Sequence, residues 1–111
     1  MNVIVSPYAL QDLKEIRNYI SVKLCNPAAA ERMIKNIISA YMKLQSQPFI
    51  GAKLNAKIKF DTELRYLVKG NYLIFYLVND NIEIYRIIYG RRDYAKIIFS
   101  NDNDFQEDTE D

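Results

Sequence analysis

At 111 residues, 50% of them hydrophobic, the chain has the size of one ordinary domain built around a single modest core. Its longest apolar run, Tyr72 to Val78, stops at Asn79, far short of the roughly 20 residues that a membrane span needs. The formal charge of +1 conceals an asymmetry: six of the 14 acidic residues stand in the last ten positions, so residues 1–100, which hold all 15 Lys and Arg, carry +7.

A body this basic suits polyanions or acidic partner segments, and equally a solvated basic surface. With Cys25 the only cysteine and no histidine in the chain, an internal disulfide is excluded and no metal-ligand set is visible; a structural thiol, no metal and no cofactor are expected. The opening Met1 to Pro7 has neither the basic start nor the apolar stretch of a secretory signal, so a cytoplasmic location is expected.

In chain order, Asn2 to Val5 is short and β-branched and predicts a strand. Ser6-Pro7 then opens a helix, Ser6 as the N-cap acceptor and Pro7 at the first helical position, with Val5 and Leu10 at the two staple positions. Leu10, Leu13, Ile16, Ile20 and Leu24 keep to one face, with Asp12, Lys14, Glu15 and Arg17 largely away from it, so helix one is placed from about Pro7 to Leu24. Asn26-Pro27 repeats the cap-plus-proline signal. Ala30, Met33, Ile34, Ile37, Ile38, Tyr41 and Leu44 form a second stripe that Gln47-Pro48 ends. With about two residues between them, the helices should pair antiparallel and lay both stripes on a sheet.

After a lysine-bearing irregular stretch (Lys53, Lys57, Lys59), the period changes. Leu64 to Lys69, Tyr72 to Asn79 and Ile82 to Tyr89, separated by Gly70-Asn71 and Asp80-Asn81, predict a three-stranded meander. Its middle strand is apolar at every position, as a strand covered on both faces requires. Arg91 to Phe99 is compatible with either a short helix or an extended segment. The expected fold class is α+β: an N-terminal strand and an antiparallel helical hairpin packed on one face of a mainly antiparallel sheet. Residues 1–99 form the domain and residues 100–111 an acidic tail, expected to be mobile and dispensable, because only Phe105 offers apolar surface to dock it.

This order of elements resembles the RelE/ParE toxins of bacterial type II toxin–antitoxin systems from Asn2 to about Phe99. The residues that carry the likeness are Gln47-Pro48-Phe49-Ile50-Gly51, Leu64-Arg65-Tyr66-Leu67-Val68, Tyr72-Leu73-Ile74-Phe75-Tyr76 and, most specifically, Arg86-Ile87-Ile88-Tyr89-Gly90-Arg91-Arg92-Asp93. In that closing motif a histidine often stands where Tyr89 stands here.

The resemblance implies a growth-inhibiting toxin neutralised by a cognate antitoxin that binds operator DNA, the toxin reaching that DNA only through the antitoxin. Two activities divide the superfamily: ParE-like members act on DNA gyrase, whereas RelE-like members cleave ribosome-bound mRNA without metal. Cleavage needs an acid, a base and cations around the phosphate, and the absence of histidine leaves Lys57, Lys59, Arg65, Arg86, Arg91 and Tyr94 as the catalytic candidates. Arg65, Arg86, Tyr89, Arg91 and Arg92 are the candidates for holding the target or the antitoxin. Each also has a structural reading. Arg65 and Arg86 are expected on a sheet face that the hairpin leaves uncovered, where solvated or paired charge is the commoner use. The tyrosines can cap apolar surface, and loop lysines are usually solvated.

The hairpin, the Pro48–Gly51 turn and the Phe75-Tyr76 strand look closer to the ParE-like branch, and the acid–base set is incomplete; gyrase is therefore the expected target. An mRNA endoribonuclease and a nontoxic binding module on the same fold are the alternatives, since one scaffold hosts several activities.

Overall fold

The computed structural model describes residues 1–58 and 61–99; Lys59 and the acidic tail lie outside the described residues. The elements run β1 (Val3–Val5), α1 (Pro7–Asn18), a π-helical turn (Tyr19–Lys23), α2 (Pro27–Met42), a 3-10 turn (Lys43–Gln45), β2 (Ala52–Lys53), a second 3-10 turn (Leu54–Ala56), β3 (Arg65–Lys69), β4 (Tyr72–Val78), β5 (Ile82–Tyr89) and α3 (Tyr94–Phe99). The sheet order is β1-β5-β4-β3-β2, antiparallel throughout except that β1 lies parallel to β5. The predicted α+β class, the strand–hairpin–meander order and the mainly antiparallel sheet are all observed. Arg91 to Phe99 resolves into a turn followed by α3.

Both helix starts follow their caps. The Ser6 hydroxyl accepts from Ala9 N–H at 3.0 Å and the Asn26 side-chain Oδ1 from Ala29 N–H at 3.1 Å, each ahead of a proline at the first helical position. The helices pack on one face of the sheet through Leu13, Ile16 and Ile20 of the first and Ala30, Ile34, Ile37, Tyr41 and Leu44 of the second, against Ile74, Tyr76, Ile82, Ile84 and Ile87.

The first stripe differs from the predicted one at its ends. Leu10 is 49% exposed and Leu24 55%, while Ala9 and Asp12 are buried. Ala9, Leu13, Ile16 and Ile20 follow the helical repeat, and Asp12 falls among them, three residues after Ala9 and four before Ile16. Beyond Ile20 the π-helical turn, with Leu24 N–H donating to the Tyr19 carbonyl, takes more residues per turn and rotates Leu24 off the stripe. Cys25 then reverses the chain with φ +52, and its thiol is exposed.

The other sheet face is also covered. Leu73, Phe75 and Ile88 pack there with Leu54, Leu64 and Ile98, so the 3-10 turn after β2 and α3 together form a second, smaller layer. Alternation along β4 feeds both clusters, Ile74 and Tyr76 to the hairpin and Leu73 and Phe75 to the other side, which is why every position of that strand is apolar. The β3–β4 connection is the two-residue turn Gly70-Asn71, and Gly70, at φ +59, supplies the positive dihedral it needs. Among the described residues no helix is long and apolar enough to cross a membrane.

Candidate functional site

The site is built where β5 outlasts β1. Because β1 ends at Val5, opposite Ile84, the outer edge of β5 from Tyr85 onward has no neighbouring strand among the described residues. Helix α1 supplies side chains in its place. The Ser6 hydroxyl donates to the Tyr85 carbonyl at 2.8 Å while still accepting from Ala9 N–H, and Asp12 accepts from Ile87 N–H at 2.8 Å. The same carboxylate takes two bonds from Arg86, Nε at 2.8 Å and Nη2 at 3.0 Å, so a buried acid, a half-buried arginine and a strand amide form one unit. These hydrogen bonds, more than the nearby charge, raise the Arg86 pKa above its ordinary value against the opposing effect of burial.

A β-bulge makes this geometry available. Phe75 pairs with Arg86 but Tyr76 pairs with Ile84, leaving Tyr85 as the extra residue that re-aims Arg86 toward α1. Arg86 thus starts on the face of Phe75, the one expected to lie away from the hairpin, but that face carries the second layer and the guanidinium turns at the open strand edge to meet Asp12. Asp12 was missed as a functional residue because its charge suggested an outward face; its spacing from Ala9 and Ile16 was the signal that it points inward.

Arg65 has a comparable task at the other end of the sheet. Its Nη2 donates to the Phe49 carbonyl at 3.0 Å and the Gly51 carbonyl at 2.6 Å, and the guanidinium lies 5.2 Å from the Phe49 ring centre. Its register partner is Tyr76, a hairpin-side residue, so Arg65, unlike Arg86, departs from the face expected to lie away from the hairpin. The Tyr76 hydroxyl accepts from Gly51 N–H at 2.9 Å, and a Cβ at Gly51 would come within 2.5 Å of that hydroxyl and 2.6 Å of the Tyr66 carbonyl. Only glycine admits this close approach, so the turn Gln47 to Gly51 is fixed by Arg65 and Tyr76 together.

Two further candidates, Lys57 and Tyr94, share the second layer, linked through the Tyr66 and Phe75 rings. The Lys57 ammonium sits 5.6 Å from the Tyr66 ring centre, and Tyr94 packs on Phe75 at 5.4 Å in the second layer. Arg91 and Arg92 are exposed in the turn after β5. Tyr89 and Arg92, by contrast, meet Asp12 along one groove of about 690 Å³, which runs between the free edge of β5 and the end of the hairpin. Its size is that of a ligand-binding cleft. Tyr72 stands against Tyr89 with ring centres 5.8 Å apart. Burial first, and then the neighbouring Tyr19 and Tyr89, push the Tyr72 hydroxyl above its ordinary pKa of 10.0. Tyr72 is therefore a neutral hydrogen-bonding group at physiological pH.

A solved chain described as the chromosomal ParDE TA system from P. aeruginosa superposes with a TM-score of 0.67 at 23% identity, covering 80% of this chain and 95% of that one. No curated protein matches the sequence. The family model for the ParE toxin of the type II toxin–antitoxin system parDE matches residues 3–94. That match takes in both helices and the whole sheet, from β1 to the start of α3, and the chain belongs to the ParE toxin family.

Proposed function

We propose that this toxin acts in the cytoplasm by inhibiting DNA gyrase, that a cognate antitoxin neutralises it, and that it approaches operator DNA only through that antitoxin. The observation that carries the gyrase reading is the use of the two strand arginines. A phosphodiester-cleaving centre would need Arg65 and Arg86 free to face a phosphate beside an acid and a base. Instead Arg65 clamps the Phe49 and Gly51 carbonyls, and Arg86 is fixed to Asp12. Lys57 and Tyr94 stand with the second layer, each against an aromatic ring, and Arg86, which leaves the strand opposite Phe75, is drawn away from them to Asp12. ParE family membership points the same way.

In this reading Tyr89, Arg91 and Arg92 form the contact surface, and Arg65 and Arg86 support it by holding the turn and the strand edge. Residues 100–111 lie outside the working domain as an acidic segment that screens the basic body. The deciding experiment sets a gyrase supercoiling assay beside a ribosome-bound mRNA cleavage assay with the same purified protein. Loss of supercoiling with intact mRNA is expected. Cleavage that disappears in a folded Arg65→Ala or Arg86→Ala protein would establish the endoribonuclease instead.

A further inference from the structure

The free edge of β5 is only partly closed, and what remains open has a definite pattern. Ile87 N–H points outward and is taken by Asp12, whereas Gly90 N–H points inward to the Asn71 carbonyl at 2.8 Å. Alternation along the strand then turns Tyr89 N–H and the Ile87 carbonyl outward, toward the groove, with no strand opposite them among the described residues. The Tyr89 carbonyl is engaged by Arg92 N–H at 3.0 Å. One donor and one acceptor, on either side of Ile88, are thus offered to an incoming backbone. They lie in the lane that β1 occupies further down the same strand.

We infer that the antitoxin enters this groove as an additional strand parallel to β5, with one residue opposite Ile88 whose N–H donates to the Ile87 carbonyl and whose carbonyl accepts from Tyr89 N–H. The inference rests on the antitoxin reading above and specifies how the partner binds. A parallel neighbour uses both open groups through a single residue. An antiparallel neighbour would find each of its two-bond rings already half filled, one by Asp12 and the other by Arg92. The groove wall selects the side chains. Ile16, Ile20 and Met33 favour apolar residues on the inner face of the entering strand, and Arg92, beside the exposed Arg91, favours a carboxylate at its end. The +7 carried by residues 1–100 attracts an acidic partner segment over long range, and within the groove its carboxylate belongs at the Arg92 end, since Glu15 lines the hairpin side.

Amide hydrogen exchange of the full-length toxin, free and co-purified with the antitoxin of its own operon, tests this directly. Tyr89 N–H should exchange freely in the toxin alone and at least tenfold more slowly in the complex. A stable complex in which Tyr89 N–H exchanges at its free rate would overturn the inference and leave the antitoxin reading standing. Failure to form any complex would overturn both. Protection already present in the free toxin would mean that a second copy or the chain's own C-terminal segment fills the slot, and would also overturn it. A second arm compares Tyr89→Pro with Tyr89→Ala. Both lose the ring, but only proline removes the donor, at an outward edge position that tolerates it. Tyr89→Pro should bind the antitoxin more weakly than Tyr89→Ala by the effect of one hydrogen bond, roughly three- to tenfold. Equal affinities would contradict the strand pairing.

Discussion

The arginines that follow the helices fall into two regions. Arg65 and Arg86 stand on strands and turn their planar forks inward, one onto backbone carbonyls and one onto a buried carboxylate. Arg91 and Arg92, six or fewer residues further along the chain than Arg86, stand in a turn and remain exposed. The same residue type thus closes the fold in one place and presents charge in the other. What separates them is whether packed elements supply acceptors: α1 brings Asp12 to β5, and the Gln47–Gly51 turn brings two carbonyls to β3, whereas the turn after β5 leaves its arginines in water.

The comparison breaks most visibly at Asp12. Asp12→Ala would leave the half-buried Arg86 guanidinium unpaired and Ile87 N–H without its acceptor, and removing one partner of a buried pair costs about 3–5 kcal/mol. Urea unfolding should show that loss, and Asp12→Asn, which keeps an acceptor, should lose less. If Asp12→Ala melts like the parent, Arg86 belongs with the surface arginines and its place in the fold has been overstated.

Arg65→Ala should have the next largest effect, about 1–3 kcal/mol, because hydrogen bonds from a charged donor are lost but water can reach the Phe49 carbonyl. Arg65→Lys should recover little, since an ammonium lacks the flat fork that spans two carbonyls and stacks on the Phe49 ring. A urea midpoint restored by lysine would mean that charge alone, not the clamp, stabilises the turn.

These contacts mark the limit of what the sequence makes legible. Ser6-Pro7 and Asn26-Pro27 announce both helices because capping is local, and β4 announces a two-sided core because an outward position would be polar. Asp12 could have been placed by its spacing, yet knowing that it meets Arg86 requires knowing that β1 stops short and that Tyr85 bulges out of register. Neither is local: both depend on how strands far apart in sequence align. The π-helical turn that displaces Leu24 is hidden for a related reason, since hydrophobic spacing alone assumes an unbroken helical period. Among the candidate residues, the arginine pair was recognisable as lying just past the end of a strand beside Gly90, though not as a turn. The partners of Arg65 and Arg86 were not.

Alkaline pH sharpens the comparison. Arg86 is held above its ordinary pKa and keeps its charge through this range, so any loss of stability must come from elsewhere. Burial raises the hydroxyls of Tyr41 and Tyr72 above 10.0, so the unfolded chain ionises first. Their contribution is whole below about pH 10 and declines as pH rises through the higher folded values. Urea midpoints should therefore fall from about pH 10 upward, and Tyr41→Phe should flatten the decline. An unchanged slope in Tyr41→Phe and Tyr72→Phe alike would assign the alkaline loss to other groups.

The smallest effect on stability is expected where the proposed function is concentrated. Arg91→Ala and Arg92→Ala together remove two exposed charges that make no ion pair among the described residues; the Arg92 N–H bond to the Tyr89 carbonyl is a backbone contact that alanine retains. Surface changes of this kind shift stability by no more than about 0.5 kcal/mol. Binding should respond quite differently. With the carboxylate-reading end of the groove removed, antitoxin affinity should fall and its dependence on salt should flatten, because fewer charges are screened when the complex forms. Measuring the unfolding midpoint beside affinity at two salt concentrations separates the possibilities. Unaltered affinity would remove the turn from the interface, and a large loss of stability would show that these arginines support the fold as Arg65 and Arg86 do.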